Sequence, residues 1–191
     1  MAKPLGAPFI IVGVPDKLVS GGGLEGTNPR LRVDVGEPSF FDGRQFRTFK
    51  ELNIGLGATY VIKAVVPLDV ILYGLEMVLT TGEVKLQTLV GGTEGGTFSE
   101  TLPIFPRNTM SERPEPIYTP TVVLTAGGTH TGGTVLDLLW VKTATNSQFG
   151  GNVGAAPGDE RGVGAGTYYF SLNAITAATG VFRARWEERL P

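Results

Sequence analysis

The chain contains no cysteine and a single histidine, His130, among its 191 residues. The lack of thiols excludes a disulfide framework and cysteine-ligated metal sites. One imidazole without a second histidine or a thiolate cannot build the zinc sites and catalytic triads that histidine usually serves. We therefore expect no catalytic residues, no metal ligands and no bound cofactor, and we do not expect an enzyme.

Charged residues are also scarce, at 18% of the chain, and they nearly balance to a formal net charge of −2. Without a basic excess to neutralise phosphates, nucleic acid is not an expected partner. No apolar run approaches the ~20 residues of a membrane span, and Pro and Gly interrupt the short apolar run near the N-terminus. We expect a soluble protein that is made in the cytoplasm and does not bind membranes.

Glycine (28 residues) and proline (13 residues) are abundant instead, and they separate short segments that are rich in β-branched residues. The apolar side chains of these segments alternate with period 2, which predicts strands. The predicted strands cover residues 44–52, 60–66, 70–80, 83–90, 121–125, 134–142, 166–173 and 180–188. Thr81-Gly82 is predicted to be a tight turn that makes the strands on either side of it a hairpin. A short helix over residues 44–53 is the alternative to the first strand.

This pattern predicts an all-β fold, a jelly-roll-like antiparallel β-sandwich over residues 31–191. In its last strand, Phe182, Ala184 and Trp186 are expected to face the core. Arg183, Arg185 and Glu187 are expected to face solvent or a partner. Within 44–50, Phe46 is expected on one face and Arg47 and Phe49 on the other. This pattern favours core packing with a solvated face over a single-strand nucleic-acid site.

Residues 1–30 contain four prolines and a Gly triplet, which predicts an extended N-terminal arm. The arm carries an isolated apolar run, Phe9-Ile10-Ile11-Val12, that either its own subunit or a neighbouring one must cover. Two long connections, the proline-rich 103–120 and the glycine-rich 143–166, are further candidate contact surfaces. The candidate interface residues are Phe9, Ile10, Ile11, Val12, Phe105, Arg107, Arg113, Tyr118, Asp159, Glu160 and Arg161.

Other motifs favour structural roles. Two similar Gly-Gly-Thr segments, 91–97 and 127–134, are interpreted as strand-connecting loops, because neither precedes the helix and Lys of a phosphate-binding loop. His130, between two of these units, is expected to be solvated or at an interface. Glu187 and Glu188 are adjacent on a strand and should point to opposite faces, so they do not form the acid pair of a glycosidase.

Several stretches together resemble small virion structural proteins of tailed bacteriophages, of the capsid decoration or fibre-associated type. These stretches are residues 47–49, 91–97, 110–114, 158–163 with 166–169, and 178–189. The resemblance implies a virion component.

The resemblance and the apolar arm together lead us to expect a capsid decoration or cement protein. We expect it to be a homotrimer that binds the major capsid protein or other virion proteins and stabilises the lattice. One alternative is a receptor-binding module at a fibre tip, in which Trp140, Tyr168 or Tyr169 stacks on a sugar. The other alternative is a collar or tail adaptor.

Overall fold

The computed structural model describes residues 38–109, 118–143, 149–153 and 161–189. These residues contain one helical turn and twelve strands. In chain order they are α1 (Pro38–Phe41), β1 (Gln45–Ile54), β2 (Thr59–Val66), β3 (Val70–Val90), β4 (Thr93–Gly95), β5 (Glu100–Thr101), β6 (Ile104–Pro106), β7 (Val123–Ala126), β8 (Thr129–Thr131), β9 (Thr134–Lys142), β10 (Phe149–Val153), β11 (Arg161–Val163) and β12 (Gly166–Glu188). The prediction of an all-β fold is confirmed.

Two long antiparallel strands, β3 and β12, form the spine of the sheet. They are 21 and 23 residues long and pair with each other along most of their length. On the other edge of β12, β2 pairs with its first part and β1 with its last part. On the other edge of β3, β11 and β10 pair with its first part and β9 with its last part. The sheet continues through β7 and β5 beyond β2, and through β6 beyond β1.

Both long strands bend at the same level, so the sheet doubles back on itself. The rings of Phe170 and Phe182, twelve residues apart on β12, have centroids only 5.5 Å apart. A straight strand would separate them by roughly 40 Å. Register shifts between β3 and β12 cluster at residues 174–180 of β12, where the bend lies. The two halves of the sheet therefore face each other as the layers of an antiparallel sandwich.

The core lies between these two layers and follows the period-2 alternation of the strands. The inward side chains include Phe46, Leu52 and Ile54 of β1, Ile62, Ala64 and Val66 of β2, Leu75, Met77, Leu79, Val84 and Leu86 of β3, and Phe170, Leu172, Phe182, Ala184 and Trp186 of β12. The inward positions predicted for Phe46, Phe182, Ala184 and Trp186 are confirmed.

The predicted hairpin around Thr81-Gly82 is wrong, because β3 runs through this dipeptide without reversing. Gly82 has a φ of +88°, but the backbone bends there instead of turning. The hydroxyl groups of Thr81 and Thr179 form a hydrogen bond, with their oxygens 2.8 Å apart, and Thr179 lies in the facing part of β12. The strands predicted at 166–173 and 180–188 are likewise one continuous strand, and the helix considered for 44–53 is a strand.

Glu187 was expected on the outer surface and is in fact buried, with 4% of its surface exposed. The Tyr73 hydroxyl donates a hydrogen bond to its carboxylate, and the Arg44 guanidinium lies 3.6 Å away. Burial alone would raise the pKa of Glu187. Hydrogen bonds from Ser39 and Tyr73 and the charge of Arg44 outweigh this effect and hold the pKa below its ordinary value. The prediction is wrong because the loop around Arg44 covers this end of β12.

Glu188 lies on the opposite face and is fully buried. Its carboxylate accepts hydrogen bonds from the backbone N–H groups of Thr121 and Val122, at 2.9 and 3.1 Å, and from the Trp186 indole N–H at 3.3 Å. The carboxylate therefore holds the segment before β7 against the end of β12. Since Glu187 and Glu188 have separate partners, the prediction that they diverge is confirmed.

The interpretation of the two Gly-Gly-Thr segments as loops is incomplete, because each contains a short strand and the two strands pair with each other. Their strands β4 and β8 form a separate two-stranded antiparallel ribbon in which Glu94 lies opposite His130. The adjoining Phe98 packs on a small outer cluster of Val61, Leu89 and Tyr169. The jelly-roll connectivity stays a prediction, and the arm, residues 1–30, lies outside the described residues.

Candidate interaction surfaces

Four of the eleven candidate interface residues lie within the described residues. Those outside them are Phe9, Ile10, Ile11, Val12, Arg113, Asp159 and Glu160. The four described ones are Phe105, Arg107, Tyr118 and Arg161. Their proposed role in an interface stays a prediction, but their surroundings differ.

Three of these four side chains have partners within the subunit. The Arg107 guanidinium donates to the Gln45 side-chain oxygen at 2.7 Å. The half-buried Tyr118 packs on Phe46, with ring centroids 5.9 Å apart. Arg161 forms an ion pair with Asp137. These contacts hold the side chains to the sandwich and do not bring them together as one exposed surface.

Phe105, in contrast, belongs to an exposed aromatic stack on the outer face of the sandwich. Its ring lies parallel to that of Phe49, with centroids 5.6 Å apart and planes 10° apart. The two residues are 37% and 46% exposed, respectively. The outward direction predicted for Phe49 is confirmed, whereas its pairing with Phe105 was not predicted.

Arginines from two strands flank this stack. The register of β1 and β12 sets Arg47 opposite Arg185 and Phe49 opposite Arg183, and Phe105 of β6 lies opposite Arg47. We call these five residues the arginine face. A shallow concavity of about 750 Å³ lies on this surface. It is lined by side chains of β1 and β12, including Glu51 and Val181, and by Glu76 of β3.

The charges of the arginine face are only partly neutralised. The Arg183 guanidinium lies 3.6 Å from the Glu76 carboxylate. Among the described residues, Arg47 and Arg185 have no carboxylate within ion-pair distance. Arginine and exposed aromatic rings are the residue types most enriched at the centres of protein interfaces. The arginine face therefore combines two exposed aromatic rings with two guanidinium groups that have no carboxylate partner among the described residues.

A second exposed apolar surface lies on β9, which we call the β9 ridge. It consists of Val135, Leu136, Leu138 and Trp140, each between 46% and 55% exposed. The Trp140 indole N–H donates to the Glu83 carboxylate at 2.6 Å, which lowers the pKa of Glu83 below its ordinary value. The hydrogen bond fixes the indole on the sheet, and the Lys85 ammonium lies over the ring, 6.0 Å from its centroid.

The β4–β8 ribbon is fastened to the sandwich by a polar cluster, the ribbon clasp, formed by Lys63, Glu94, His130 and Tyr169. His130 stacks on the Tyr169 ring with centroids 3.9 Å apart, and its Nε2 donates to the Gly91 carbonyl at 2.7 Å. Its partners thus lie in its own subunit. Burial and a hydrogen bond to Glu94 raise the pKa of Tyr169 to about 12, so the hydroxyl stays protonated near neutral pH.

The ribbon clasp predicts a pH dependence of stability. Hydrogen bonds from Lys63 and Tyr169 lower the pKa of Glu94, so its contribution is complete above its ordinary pKa of ~4.3 and is lost as pH falls through the lowered value. Glu94→Gln should therefore lower the thermal unfolding midpoint near neutral pH, and the difference from wild type should disappear in acid. Glu51→Gln, at an exposed position, is the control. A Glu94→Gln difference that persists unchanged at low pH would contradict this role.

Trp140, Tyr168 and Tyr169 were considered for sugar stacking, and the two tyrosines contact other groups of the same subunit. Tyr169 is covered by His130, and the Tyr168 hydroxyl donates to the Gly164 carbonyl at 3.0 Å. Trp140 is the most exposed of the three, with 55% of its surface accessible.

Within the described residues, no three His, Cys, Asp or Glu side chains converge as a metal-binding group. The same residues include no helix with the length and apolar character needed to cross a membrane. The chain matches no protein-family model, no curated protein and no solved structure.

Proposed function

We propose that the protein is a non-enzymatic structural protein of a tailed-phage virion, a decoration protein that binds the major capsid lattice as a trimer. The observation that carries this proposal is the arginine face, an exposed aromatic stack beside arginines on the outer layer of a rigid sandwich. The resemblance of the sequence to small virion proteins supplies the class of particle.

The arginine face suits such a contact for two physical reasons. Phe49 and Phe105 are 46% and 37% exposed, so burying the rest of each ring against a lattice subunit would contribute roughly 0.5–1.5 kcal/mol per ring, before ordering costs. Guanidinium groups bind carboxylates through two parallel hydrogen bonds, so Arg47 and Arg185 favour an acidic partner surface. Because the residues lie on paired strands, their backbone is already ordered before docking, and the ordering cost is limited to the side chains.

Co-sedimentation with undecorated phage capsids tests this proposal. Arg185→Glu should weaken capsid binding at least tenfold, since central arginines and aromatics dominate interface energetics. Lys142→Glu makes the same charge change on β9, outside the arginine face, and should leave binding within about twofold of wild type. Equal binding by all three proteins would remove the arginine face as the docking surface.

The arm is tested separately in the same assay. If Phe9, Ile10, Ile11 and Val12 clamp a neighbouring subunit, deleting residues 2–20 should abolish capsid binding while the circular dichroism of the sandwich is retained. A truncated protein that still decorates capsids at full occupancy would show that the arm is not the clamp. Light scattering on the same preparations gives the oligomeric state.

A receptor-binding module at a fibre tip is the second candidate, and the exposed ring of Trp140 favours it. In that case the isolated protein should bind host cells or surface glycan, and Trp140→Ala should abolish this binding while Arg185→Glu does not. A collar or tail adaptor would be distinguished from both by a low copy number per particle.

A further inference from the structure

Arg47 of the arginine face lies among three further arginines on the outer surface of β1, β6 and β12. Arg185 lies directly opposite it on β12, and Arg183 lies two residues before Arg185 on the same face. On the other side of β1, the backbone N–H of Arg107 donates to the Gln45 carbonyl, which sets Arg107 opposite Gln45 and on the face of Arg47. Directly opposite residues of antiparallel strands have Cβ atoms about 5 Å apart, and diagonal neighbours lie about 7–8 Å apart. The guanidinium groups of Arg107 and Arg185 can therefore both reach the space above Arg47.

Three of these guanidinium groups are not neutralised within the subunit. Arg47, Arg107 and Arg185 form no ion pair with a carboxylate in the part of the chain that the structure describes. Arg107 donates instead to the neutral side-chain oxygen of Gln45 at 2.7 Å, which holds its guanidinium beside β1. The chain as a whole has a formal net charge of −2, so this concentration of positive charge is local.

The carboxylates on this side of the sandwich are engaged or distant. Glu187 is buried and has a hydrogen bond and two ion pairs of its own. Glu76 lies 3.6 Å from Arg183. Glu51 is four residues from Arg47 on β1, roughly 13 Å along the strand. An anion from outside the subunit is therefore needed to neutralise the three arginines.

The number of free guanidinium groups selects the kind of anion. Like charges directly opposite each other on paired strands destabilise a sheet, and a shared anion would relieve this repulsion between Arg47 and Arg185. A carboxylate has two oxygens and one negative charge, and a single guanidinium already matches it in a bidentate pair. A phosphate group on a side chain carries about −1.5 to −2 charges near pH 7 and three acceptor oxygens, so it suits several arginines at once.

We propose that Arg47, Arg107 and Arg185 form a binding site for a phosphate group. The exposed ring of Phe105 lies opposite Arg47 and would contact the organic part of a phosphate monoester. The proposal goes beyond docking to a capsid and does not depend on it, because it concerns the isolated protein. A capsid-binding failure leaves the phosphate site standing, and a failed phosphate titration leaves docking to an acidic protein surface standing.

Calorimetric titration of the full chain with three probes at matched ionic strength tests the class of ligand. Phenyl phosphate and benzoate have similar rings and differ in their anionic group, and inorganic phosphate lacks the ring. Phenyl phosphate should bind saturably, one molecule per subunit, and about tenfold more tightly than benzoate. Inorganic phosphate that binds as tightly as phenyl phosphate would identify the free ion as the ligand, and weaker binding would identify a monoester. Equal affinities for phenyl phosphate and benzoate, or no saturable binding of either phosphate, overturn the proposal.

Substitutions of the central arginine test the place of binding. Arg47→Gln should weaken phenyl phosphate binding about tenfold, the usual value of a hydrogen bond to a charged group. Arg47→Lys keeps the charge but loses the planar fork, so it should recover only part of the affinity. Lys142→Gln removes a positive charge on β9, outside this site, and should leave the affinity within about twofold of wild type. Unchanged affinity in Arg47→Gln overturns the proposal.

The unliganded variants give an independent readout. Arg47 is exposed, and its removal relieves the repulsion with Arg185. At low ionic strength without phosphate, the thermal unfolding midpoint of Arg47→Gln should therefore equal or exceed that of wild type. If this variant does not fold, Arg185→Gln removes the opposite guanidinium and should weaken phenyl phosphate binding by the same factor, and unchanged affinity there overturns the proposal.

Discussion

Gly82→Ala should lower the free energy of unfolding by about 3 kcal/mol or more, or prevent folding, because two penalties combine there. The residue has a φ of +88°, which L side chains rarely adopt. A Cβ atom at this position would lie 2.3 Å from the carbonyl oxygen of Ala177 and 2.7 Å from the Cα of Ala178. The backbone of β12 at Ala177 and Ala178 must therefore move, at the level where both long strands bend. Urea denaturation measures the loss.

Two other glycines separate these penalties. Gly57 also has a positive φ, +69°, but a Cβ there would meet no atom within 4 Å, so Gly57→Ala should cost only about 1–2 kcal/mol. Gly55 has neither a positive φ nor a close neighbour, and Gly55→Ala should change stability by less than about 1 kcal/mol. If Gly82→Ala costs no more than Gly57→Ala, the close approach of β12 is not what bends β3.

Glu188→Ala should destabilise the protein by about 3–5 kcal/mol. The substitution leaves the buried backbone N–H of Val122 and the partly buried backbone N–H of Thr121 without their acceptor, and also removes the partner of the buried Trp186 indole. Each buried donor left in this way costs about 1–3 kcal/mol. The measurement is the urea midpoint, which should shift at an unchanged slope if the unfolding remains two-state.

Glu188→Gln is the matched variant for this prediction. It keeps the side-chain length and one carbonyl oxygen, so it should cost less than Glu188→Ala. Glu51→Ala, at an exposed position of β1, should change stability by no more than about 0.5 kcal/mol. Equal losses for Glu188→Ala and Glu51→Ala would show that the buried carboxylate does not hold the segment before β7.

The local pattern of the sequence was sufficient to predict the longer strands and most of their inward faces, whereas the short strands β4, β5, β6, β8, β10 and β11 were not predicted. Alternation depends only on residues two positions apart, so β1, β2 and β9 and the core position of Phe182 could be found without knowledge of the fold. The bend could not. Thr81-Gly82 resembles a hairpin turn locally, and only its contact with Thr179, 98 residues away, makes it a bulge in a continuous strand.

The surfaces were less predictable than the strands for the same reason. Sequence reasoning selected Phe105, but the arginine face combines it with residues of β1 and β12, and no local pattern links those strands. The similarity of the two Gly-Gly-Thr segments was visible, whereas their pairing as β4 and β8 was not. The buried position of Glu187 depends on Arg44 and Tyr73, which are also distant in sequence.

Because β3 and β12 each pass through both layers and contribute side chains from both to one core, opening either layer exposes the core face of the other. Local unfolding that is confined to one layer is thus suppressed, and the sandwich should lose its structure in one cooperative transition. The same strands pair residues about a hundred positions apart in the chain, which makes the closure of long loops an early and slow step of folding. The double-layer strands therefore combine slow assembly with a native state that resists partial opening.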